Sequence, residues 1–264
     1  VQHLSGGLVQ RVRATEGAWV REGDVLVELD PATARASHAV LSQRYLGLRA
    51  VQGRLQAEQI SQSAVSWHPD LLAAKADPQV VVLMRGQLDL LQARRAALRA
   101  ELAAMEDSAR GQQALIESFT AMQVSRTAQL ALVQQELEQT RPLAQEGYVP
   151  RNRLLELERQ IAEGRSALAD LRGQALRAQQ SIAELRQRGL QRQQEFRREV
   201  ETELASTTRE AQADAERLVA MNLDLQRTQI RAPASGQVVG LVVQAPGAVI
   251  QPGQKLMDIV PADE

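Results

Sequence analysis

The chain has 264 residues, a net charge of −1 and only two residues each of Trp, Tyr and Phe. So few aromatic side chains argue against a large globular core, and the balanced charge excludes the broad positive field of a nucleic-acid-binding protein. The chain has no cysteine, which excludes disulfides and cysteine-based metal sites. No apolar segment approaches the roughly 20 residues that cross a bilayer.

The first 31 residues have the pattern of short strands. We expect strands at residues 8–13 and 25–29, with a two-residue strand between them and turns that end at Gly17 and Gly23. Glycine suits such tight turns because it adopts positive φ without a steric penalty. Three strands of this length bury too little surface to be stable alone.

A helix is predicted to start at Asp30-Pro31. Asp accepts hydrogen bonds from the free amides of a first turn, and Pro is tolerated at the first helical position. The helix covers residues 32–62, and its apolar stripe consists of Leu41, Tyr45, Leu48 and Leu55. Residues 63–78 follow as a kinked connector, because each proline in this stretch disfavours helix in the residue before it.

A second helix is predicted at residues 79–145. Positions spaced alternately by three and four residues from Leu88 form a continuous seam, which is typical of a coiled coil. The seam consists of Leu88, Leu91, Arg95, Leu98, Leu102, Met105, Ala109, Gln112, Ile116, Phe119, Gln123, Arg126, Leu130, Val133, Leu137, Thr140 and Ala144. Pro142 should kink or loosen the last turn.

Residues 145–153 form the only short turn between the long helices. Gly147 can end one helix through a left-handed cap, and Pro150 helps to start the next. Tyr148 and Val149 are apolar groups at this exposed turn. Either they staple the turn onto the leucines on both sides of it, or they contact a partner.

The third helix is predicted at residues 151–228. Its seam consists of Leu154, Leu157, Ile161, Leu168, Leu171, Ala175, Ala178, Ile182 and Leu185, followed by Val200, Leu204, Ala211, Leu218 and Leu225. A one-residue slip near residues 189–192 predicts a local change of winding. At about 1.5 Å per residue, each long helix spans on the order of 100 Å, so the pair is expected to form an antiparallel hairpin. The first helix either overlaps this hairpin or forms a third strand of the bundle.

The end of the chain repeats its beginning. A shift of 230 residues places residues 4–31 on residues 234–261 without a gap, and it pairs Gly17 with Gly247 and Gly23 with Gly253. Two copies related by a pseudo-twofold axis could close one small sandwich and bring the ends of the arm together at its base. The predicted fold class is therefore α+β: a β-sandwich formed by residues 1–31 and 230–264, split by a helical hairpin at residues 32–229.

No catalytic chemistry is expected in this chain. His3, His38 and His68 are isolated, without a second His or carboxylate at a metal-ligand spacing. Phosphate loops, dinucleotide fingerprints and nucleophile elbows are missing from the sequence. We therefore assign no catalytic, cofactor-binding or metal-binding residue, and we do not expect an enzyme.

Residues 16–26 (EGAWVREGDVL) and 232–238 (APASGQV) resemble the two halves of a biotinyl/lipoyl-carrier fold. Split by a helical hairpin, this fold resembles the membrane fusion proteins, or periplasmic adaptors, of the haemolysin D family. Residues 1–9 and 230–239 look most like the type I secretion branch, of the alkaline protease/lipase exporter type. The membrane helix and β-barrel domain of that family lie outside this sequence.

The resemblance implies a periplasmic protein that is anchored in the inner membrane when full-length. The implied partners are an inner-membrane ABC transporter, an outer-membrane channel protein of the TolC type and an unfolded secreted protein such as a protease or lipase. A homo-oligomer of six protomers is also implied. Neither nucleic acid nor a cofactor is expected.

The same resemblance makes the tip the docking site for the outer-membrane channel. In efflux adaptors the tip carries an Arg, a Leu and a hydroxyl residue; here Leu143 matches, but Gln139 and Pro150 fall on the other two positions. This departure favours the secretion branch. The expected contact residues are Leu143, Glu146, Gly147, Tyr148, Val149, Pro150 and Arg151.

Two alternative functions belong beside this one. The first is the adaptor of a multidrug efflux pump, which has the same architecture. The second is a lipoyl-type carrier domain, which would need a modified lysine between the two sandwich halves. The only lysines are Lys75 and Lys255, and neither stands at that junction.

Overall fold

The computed structural model describes residues 1–261. In chain order, the strands and helices are β1 (Gly7–Val12), β2 (Trp19–Val20), β3 (Val25–Leu29), α1 (Ala32–Gln59), α2 (Pro69–Ala73), α3 (Pro78–Gln145), α4 (Arg151–Arg227), β4 (Gln229–Arg231), β5 (Gly236–Val239), β6 (Val249–Ile250) and β7 (Asp258–Val260). The fold class is α+β, with antiparallel sheets and a long helical hairpin.

The strands form two sheets that exchange elements between the repeated halves. The order is β4-β3-β1-β6 in one sheet and β2-β5-β7 in the other. Strand β6 from the second half therefore completes the sheet of the first half, and β2 from the first half completes that of the second. Neither half can form its sheet alone, which is how two short repeats make one stable sandwich.

One core lies between the two sheets. It includes Val9, Leu26 and Leu29 from the first sheet together with Val238 and Leu256 from the second half of the chain. Strand β3 departs from simple alternation, because the adjacent residues Leu26 and Val27 are both buried at a register shift in its pairing with β4. The four repeated turn glycines all have positive φ: Gly17 (78°), Gly23 (88°), Gly247 (88°) and Gly253 (77°).

The repeated sequence pattern predicts strands at residues 238–243 and 255–260 in the second half, but the observed strands are β5 (Gly236–Val239) and β7 (Asp258–Val260). Strand β5 ends at Val239, because Gly240 has φ +71° and the Glu16 carboxylate accepts the amide hydrogens of Gly240 and Leu241. Because these two amide hydrogens bind a side chain, they are not available for the hydrogen bonds that would extend the sheet. Strand β4 was not expected, and it pairs with β3 where the chain re-enters the sandwich.

Helix α1 is the third helix of a helical bundle. Its residues Tyr45, Leu46 and Ala50 share a core with Leu71 of α2 and with Val80 and Met84 of α3, and Ala215 and Leu218 of α4 pack against this core. The sequence pattern left this packing open. The helix ends at Gln59 and not at residue 62, because Ser61 adopts φ +58° and Gln62 donates its amide hydrogen to the Ala57 carbonyl.

Buried polar groups connect α1 to both long helices. The Arg54 guanidinium binds the carboxylates of Glu58 and Glu203 at 2.9 and 3.0 Å and donates to Gln87 Oε1 at 2.8 Å. Its side chain is 3% exposed, so these partners are what allows the charge to be buried. The Gln52 amide also donates to Thr208 of α4.

Side chains just before each of the first three helices accept amide hydrogens of the following residues. The Asp30 carboxylate accepts the amide hydrogen of Ala32 at 2.9 Å, although Pro31 itself occupies the cap position and lies just outside α1. Asp77 likewise accepts the amide hydrogen of Gln79 at 2.9 Å, so α3 begins at Pro78, one residue earlier than predicted. His68 caps the short helix α2, which lies inside the predicted connector.

The chain forms two compact units. One comprises Val1–Asp89 and the chain from Glu201 onward, and the other comprises Leu90–Val200. In the second unit α3 and α4 pack antiparallel: Glu101 pairs with Arg192, and Leu137 packs with Leu157 near the turn. Sixteen of the seventeen predicted seam positions of α3 are buried or half-buried, and only Arg126 is exposed. Helix α4 continues without interruption through the predicted slip at residues 189–192.

Candidate functional site

The turn between α3 and α4 is ordered by its own backbone. Gly147 has φ +85°, and its amide hydrogen binds the Ala144 carbonyl at 3.2 Å. The amide hydrogen of Tyr148 binds the Leu143 carbonyl at 2.9 Å. These two hydrogen bonds form a Schellman cap, which satisfies carbonyl groups that the helix end would otherwise leave free. Helix α4 begins directly after Pro150, and the Arg153 amide donates to its carbonyl.

The side chains at the turn divide into a supporting set and an outward set. Leu137, Leu157 and Ile161 form a small core below the turn, and Leu154 packs against it. Tyr148 retains 77% of its surface exposed, so it does not serve as a staple. Val149 is half-buried and Leu143 is exposed.

The remaining predicted contact residues all lie at the surface. Glu146, Gly147, Pro150 and Arg151 are exposed. They surround Tyr148 because the turn is only a few residues long. The structure therefore brings the seven predicted residues together in one small surface, which we call the tip surface.

Leu155 lies just after this turn and was not among the predicted contact residues. It is an exposed leucine on the first turns of α4. The seam pattern assigned Leu154 and Leu157 to the hairpin interior but gave no role to Leu155. An apolar residue outside the seam and next to the turn was the signal that could have revealed it.

Ion pairs between the helices hold the tip region together. Arg153 of α4 pairs with Glu136 of α3, and Arg141 of α3 pairs with Glu158 of α4 at 3.9 Å. All four side chains are about half exposed, so each pair contributes on the order of 0–1 kcal/mol. Both pairs link α3 to α4 close to the turn.

Glu156 is the tip-region carboxyl group with a shifted pKa. Hydrogen bonds from Arg159, and next from Gln160, lower the pKa of Glu156 below its ordinary value of 4.5. Glu156 therefore stays ionised under mildly acidic conditions. The pKa of Arg159 is raised by its hydrogen bond to Glu156. These groups form a charged network on one face of α4.

Side chains that commonly bind metals are scattered over the described part of the chain. Within residues 1–261, no three His, Asp or Glu side chains come together as a metal site would require. No helix in that range is both long and apolar enough to span a membrane. Lys255 pairs with Asp258 at 2.7 Å on the sandwich, and Lys75 lies in the connector between α2 and α3.

The helical hairpin matches a family model described as AprE, long alpha-helical hairpin, over residues 34–223. The chain belongs to this family. The resemblance to membrane fusion proteins of the type I secretion branch is confirmed.

Similar proteins extend the match over the whole chain. Proteases secretion protein PrtE of Dickeya chrysanthemi is 39% identical over 100% of this chain and 59% of its own length. Alkaline protease secretion protein AprE of Pseudomonas aeruginosa is 38% identical over 99% of the chain and 60% of its own length. The chain thus spans about three fifths of the length of these curated relatives.

A solved structure supports the same assignment at the level of the fold. The soluble domain of LipC, a membrane fusion protein of a type I secretion system, superposes with a TM-score of 0.92 at 34% identity. The match covers 99% of this chain and 98% of that one. The sandwich and the hairpin together therefore constitute the unit shared with LipC.

Proposed function

We propose that the full-length protein is the periplasmic adaptor of a type I protein secretion system. It would join an inner-membrane ABC transporter to an outer-membrane channel of the TolC type and serve the export of an unfolded protease or lipase. The observation that carries this proposal is the similarity to PrtE and AprE across at least 99% of the chain, because both are named as protease secretion proteins. The proposal assigns no chemical step to this chain; ATP hydrolysis belongs to the transporter.

The proposed division of labour follows the architecture. Residues 1–31 and 230–261 are the proposed sandwich and residues 32–229 the proposed arm; residues 262–264 of the predicted second half lie outside the described residues. The sandwiches of six protomers would lie side by side in a ring in the periplasm, anchored to the inner membrane by parts of the protein outside this chain. The arms would extend from the ring toward the outer membrane and enclose the path of the substrate.

The tip surface is the proposed docking site for the channel. Three of its properties support this role. Its backbone is held by a Schellman cap, so its shape is defined before any partner binds. Tyr148, Leu143 and Leu155 expose apolar surface at a turn that also carries exposed polar and charged residues. An exposed Tyr next to apolar side chains is also typical of residues that dominate binding energy at protein interfaces.

The first experiment tests docking by crosslinking in cells. A photoreactive amino acid replaces Tyr148 in the full-length protein, and a matched variant carries it at Val124. Val124 is 68% exposed on α3, so both positions tolerate the change and differ only in their place along the arm. We expect a covalent product with the channel from position 148 and none from position 124. Products from both positions, or only from 124, would contradict end-on docking.

The second experiment measures secretion. Replacement of Tyr148 and Val149 by Asp places two charges in the proposed contact without touching the supporting core. We expect extracellular protease to fall at least about tenfold, as the loss of a central interface residue usually costs about 2 kcal/mol or more. The variant Val124→Asp should secrete normally. Full secretion by the double variant, with normal protein levels, would rule out the tip assignment.

A further inference from the structure

A cavity opens between α3 and α4 within the second compact unit. Its volume is about 440 Å³, within the range of about 300–1,000 Å³ that is usual for ligand pockets. A Cβ added at Gly189 of α4 would lie 3.8 Å from Leu102 Cδ2 and 3.9 Å from Met105 Sδ, so the α4 seam has no side chain to fill this turn. The apolar lining consists of Leu102, Ala103, Met105, Ala109, Leu185 and Leu190. The hairpin itself thus leaves an apolar space between its helices.

Charged side chains lie around this apolar lining. Arg99 of α3 and Arg186 of α4 line the cavity from its two sides, and both are exposed. Arg95 lies one helical turn before Arg99 on the same face of α3, because residues four apart are neighbours on a helix. Among the lining residues that the structure describes, Glu106 is the one carboxylate. With three arginines against one glutamate, the cavity and its edge carry a net positive charge.

The fold leaves the three arginines without an acidic partner. Within residues 1–261, the side chains of Arg95, Arg99 and Arg186 form no ion pair, whereas Arg192 in the same region of α4 pairs with Glu101 at 2.9 Å. The helices offer no partner either, since no Asp or Glu lies three or four positions from any of the three arginines. Arginine binds carboxylates through paired hydrogen bonds. These three side chains are therefore available to the carboxylates of another molecule.

We propose that this cavity binds an acidic segment of the exported protein. Carboxylates of that segment would bind the guanidinium groups of Arg99 and Arg186, and an apolar side chain would fill the space beside Gly189. This inference rests on the proposed function, because it makes the arm a surface that the exported chain contacts on its way to the channel. Ion pairs of exposed arginines are weak, so each contact is brief and lets the chain move on.

The place of the cavity along the arm favours the exported protein over the fixed components. Leu102 and Leu185 lie 45 residues before and 38 residues after Gly147, so the cavity is roughly 60 Å along the helices from the tip surface. A channel docked end-on at the tip surface is far from this point, whereas an exported chain passes the whole length of the arm. The apolar lining also favours a polypeptide over an acidic polysaccharide, because a polysaccharide has no large apolar side chain to fill it.

Binding of a designed peptide tests the chemistry of the cavity. The purified chain is suitable, because its sandwich and hairpin together match the soluble domain of LipC over 98% of that chain. The probe is a short fluorescent peptide that alternates Asp and Leu, and two control peptides carry Asn in place of Asp or Ser in place of Leu. We expect fluorescence anisotropy to show weaker binding of both controls and a loss of affinity for the probe in high salt. Equal binding of the Asn peptide would overturn the proposal.

Matched variants locate the peptide binding in the cavity. Arg99→Gln with Arg186→Gln removes both lining arginines, and Arg188→Gln with Arg198→Gln removes the same charge from exposed positions of α4 outside the lining. The first pair should weaken peptide binding by about 3- to 30-fold, as expected for the loss of two exposed ion pairs, and should remove most of its salt dependence. The second pair should bind like the parent. An equal loss in both pairs, or no loss in the first, would overturn the proposal.

Crosslinking in secreting cells identifies the partner. In the full-length protein, a photoreactive amino acid replaces Leu190, which lines the cavity, or Leu176, which is equally exposed on α4 at 55% but lies outside the lining. We expect an adduct with the exported protease, detected by antibody, from position 190 and none from position 176. The proposal fails if position 190 gives no such adduct, if both positions give it equally, or if position 190 reacts only with the channel, a polysaccharide or a second copy.

The same cells separate this proposal from the adaptor function itself. The photoreactive group at Tyr148 reports docking of the tip surface, and extracellular protease reports export. Normal secretion and a tip crosslink, without an adduct from position 190, would reject the cavity alone as a binding site. If the parent neither secretes protease nor crosslinks at the tip, the adaptor function is rejected, and the cavity proposal with it.

Discussion

Two glycines in α1 allow a sharp test of how the connector packs. A Cβ added at Gly53 would lie 2.9 Å from Val65 Cγ1 and 3.3 Å from Trp67 Cε3, both in the connector. At Gly47, in the same helix, an added Cβ would meet nothing within 4 Å. The variants Gly53→Ala and Gly47→Ala therefore differ in the contact made by one methyl group.

The expected magnitudes follow from two opposing effects. Replacing Gly by Ala inside a helix stabilises it by about 1 kcal/mol, because Ala loses less backbone entropy on folding. Gly47→Ala should show this gain in full. In Gly53→Ala the extra methyl group must displace the connector, and overpacking of this kind costs about 1–3 kcal/mol. The free energies of unfolding of the two variants should therefore differ by about 1–3 kcal/mol, with Gly53→Ala the less stable.

Urea unfolding followed by tryptophan fluorescence measures this difference. The chain has only two tryptophans, so a Trp19→Phe background leaves Trp67 as the sole reporter, at the position where the connector meets α1. Gly53→Ala should also change the Trp67 emission of the folded protein, whereas Gly47→Ala should not. Equal stabilisation by both substitutions would refute the close packing of the connector against Gly53.

Three further predictions concern single groups. Burial, and next a hydrogen bond to Asp70, raise the pKa of Tyr45 above 10.0. In a Tyr148→Phe variant Tyr45 is the remaining tyrosine, and a pH titration of its phenol should show ionisation above pH 10.0. The contribution of Tyr45 to the free energy of unfolding should be lost as pH rises through this raised pKa. Backbone hydrogen bonds from Leu241 and Gly240 lower the pKa of Glu16 below 4.5. The parent protein should therefore have a larger free energy of unfolding than the Glu16→Gln variant above pH 4.5, as measured in urea titrations. This difference should disappear as pH falls through the lowered pKa. Gly147→Ala should speed amide exchange at Tyr148 by roughly 5- to 30-fold, because a left-handed conformation costs a non-glycine residue about 1–2 kcal/mol; unchanged exchange would contradict the cap.

Local patterns predicted most of the arm. The three- and four-residue spacing of α3 corresponds to the interior of the hairpin at nearly every position, since an amphipathic helix must bury its apolar stripe. The turn was also evident, because only Gly147 interrupts the helical pattern there with a residue that readily adopts positive φ. For the candidate site, the sequence located the turn but could not distinguish the outward Tyr148 from the half-buried Val149.

Other features depended on contacts between distant residues. The apolar stripe of α1 predicted that one face of this helix is buried, but it did not identify the helices that cover this face. Those contacts join distant residues, such as Arg54 and Glu203, which lie 149 residues apart in the sequence. The end of β5 at Val239 depends on Glu16, more than 220 residues earlier in the chain. Such contacts leave no periodic signal in either segment.

The sequence by itself determined the repeated halves, the long helices and their seam, because repeats, periodicity and turn residues act over short stretches of chain. Only the tertiary structure decided that the halves exchange β2 and β6, that α1 is the third helix of a bundle, and which apolar side chains remain exposed. The physical reason is that the exposure of a side chain depends on how all elements of the fold pack against one another. The exposure of a side chain such as Trp19 is evident only once the whole fold is known.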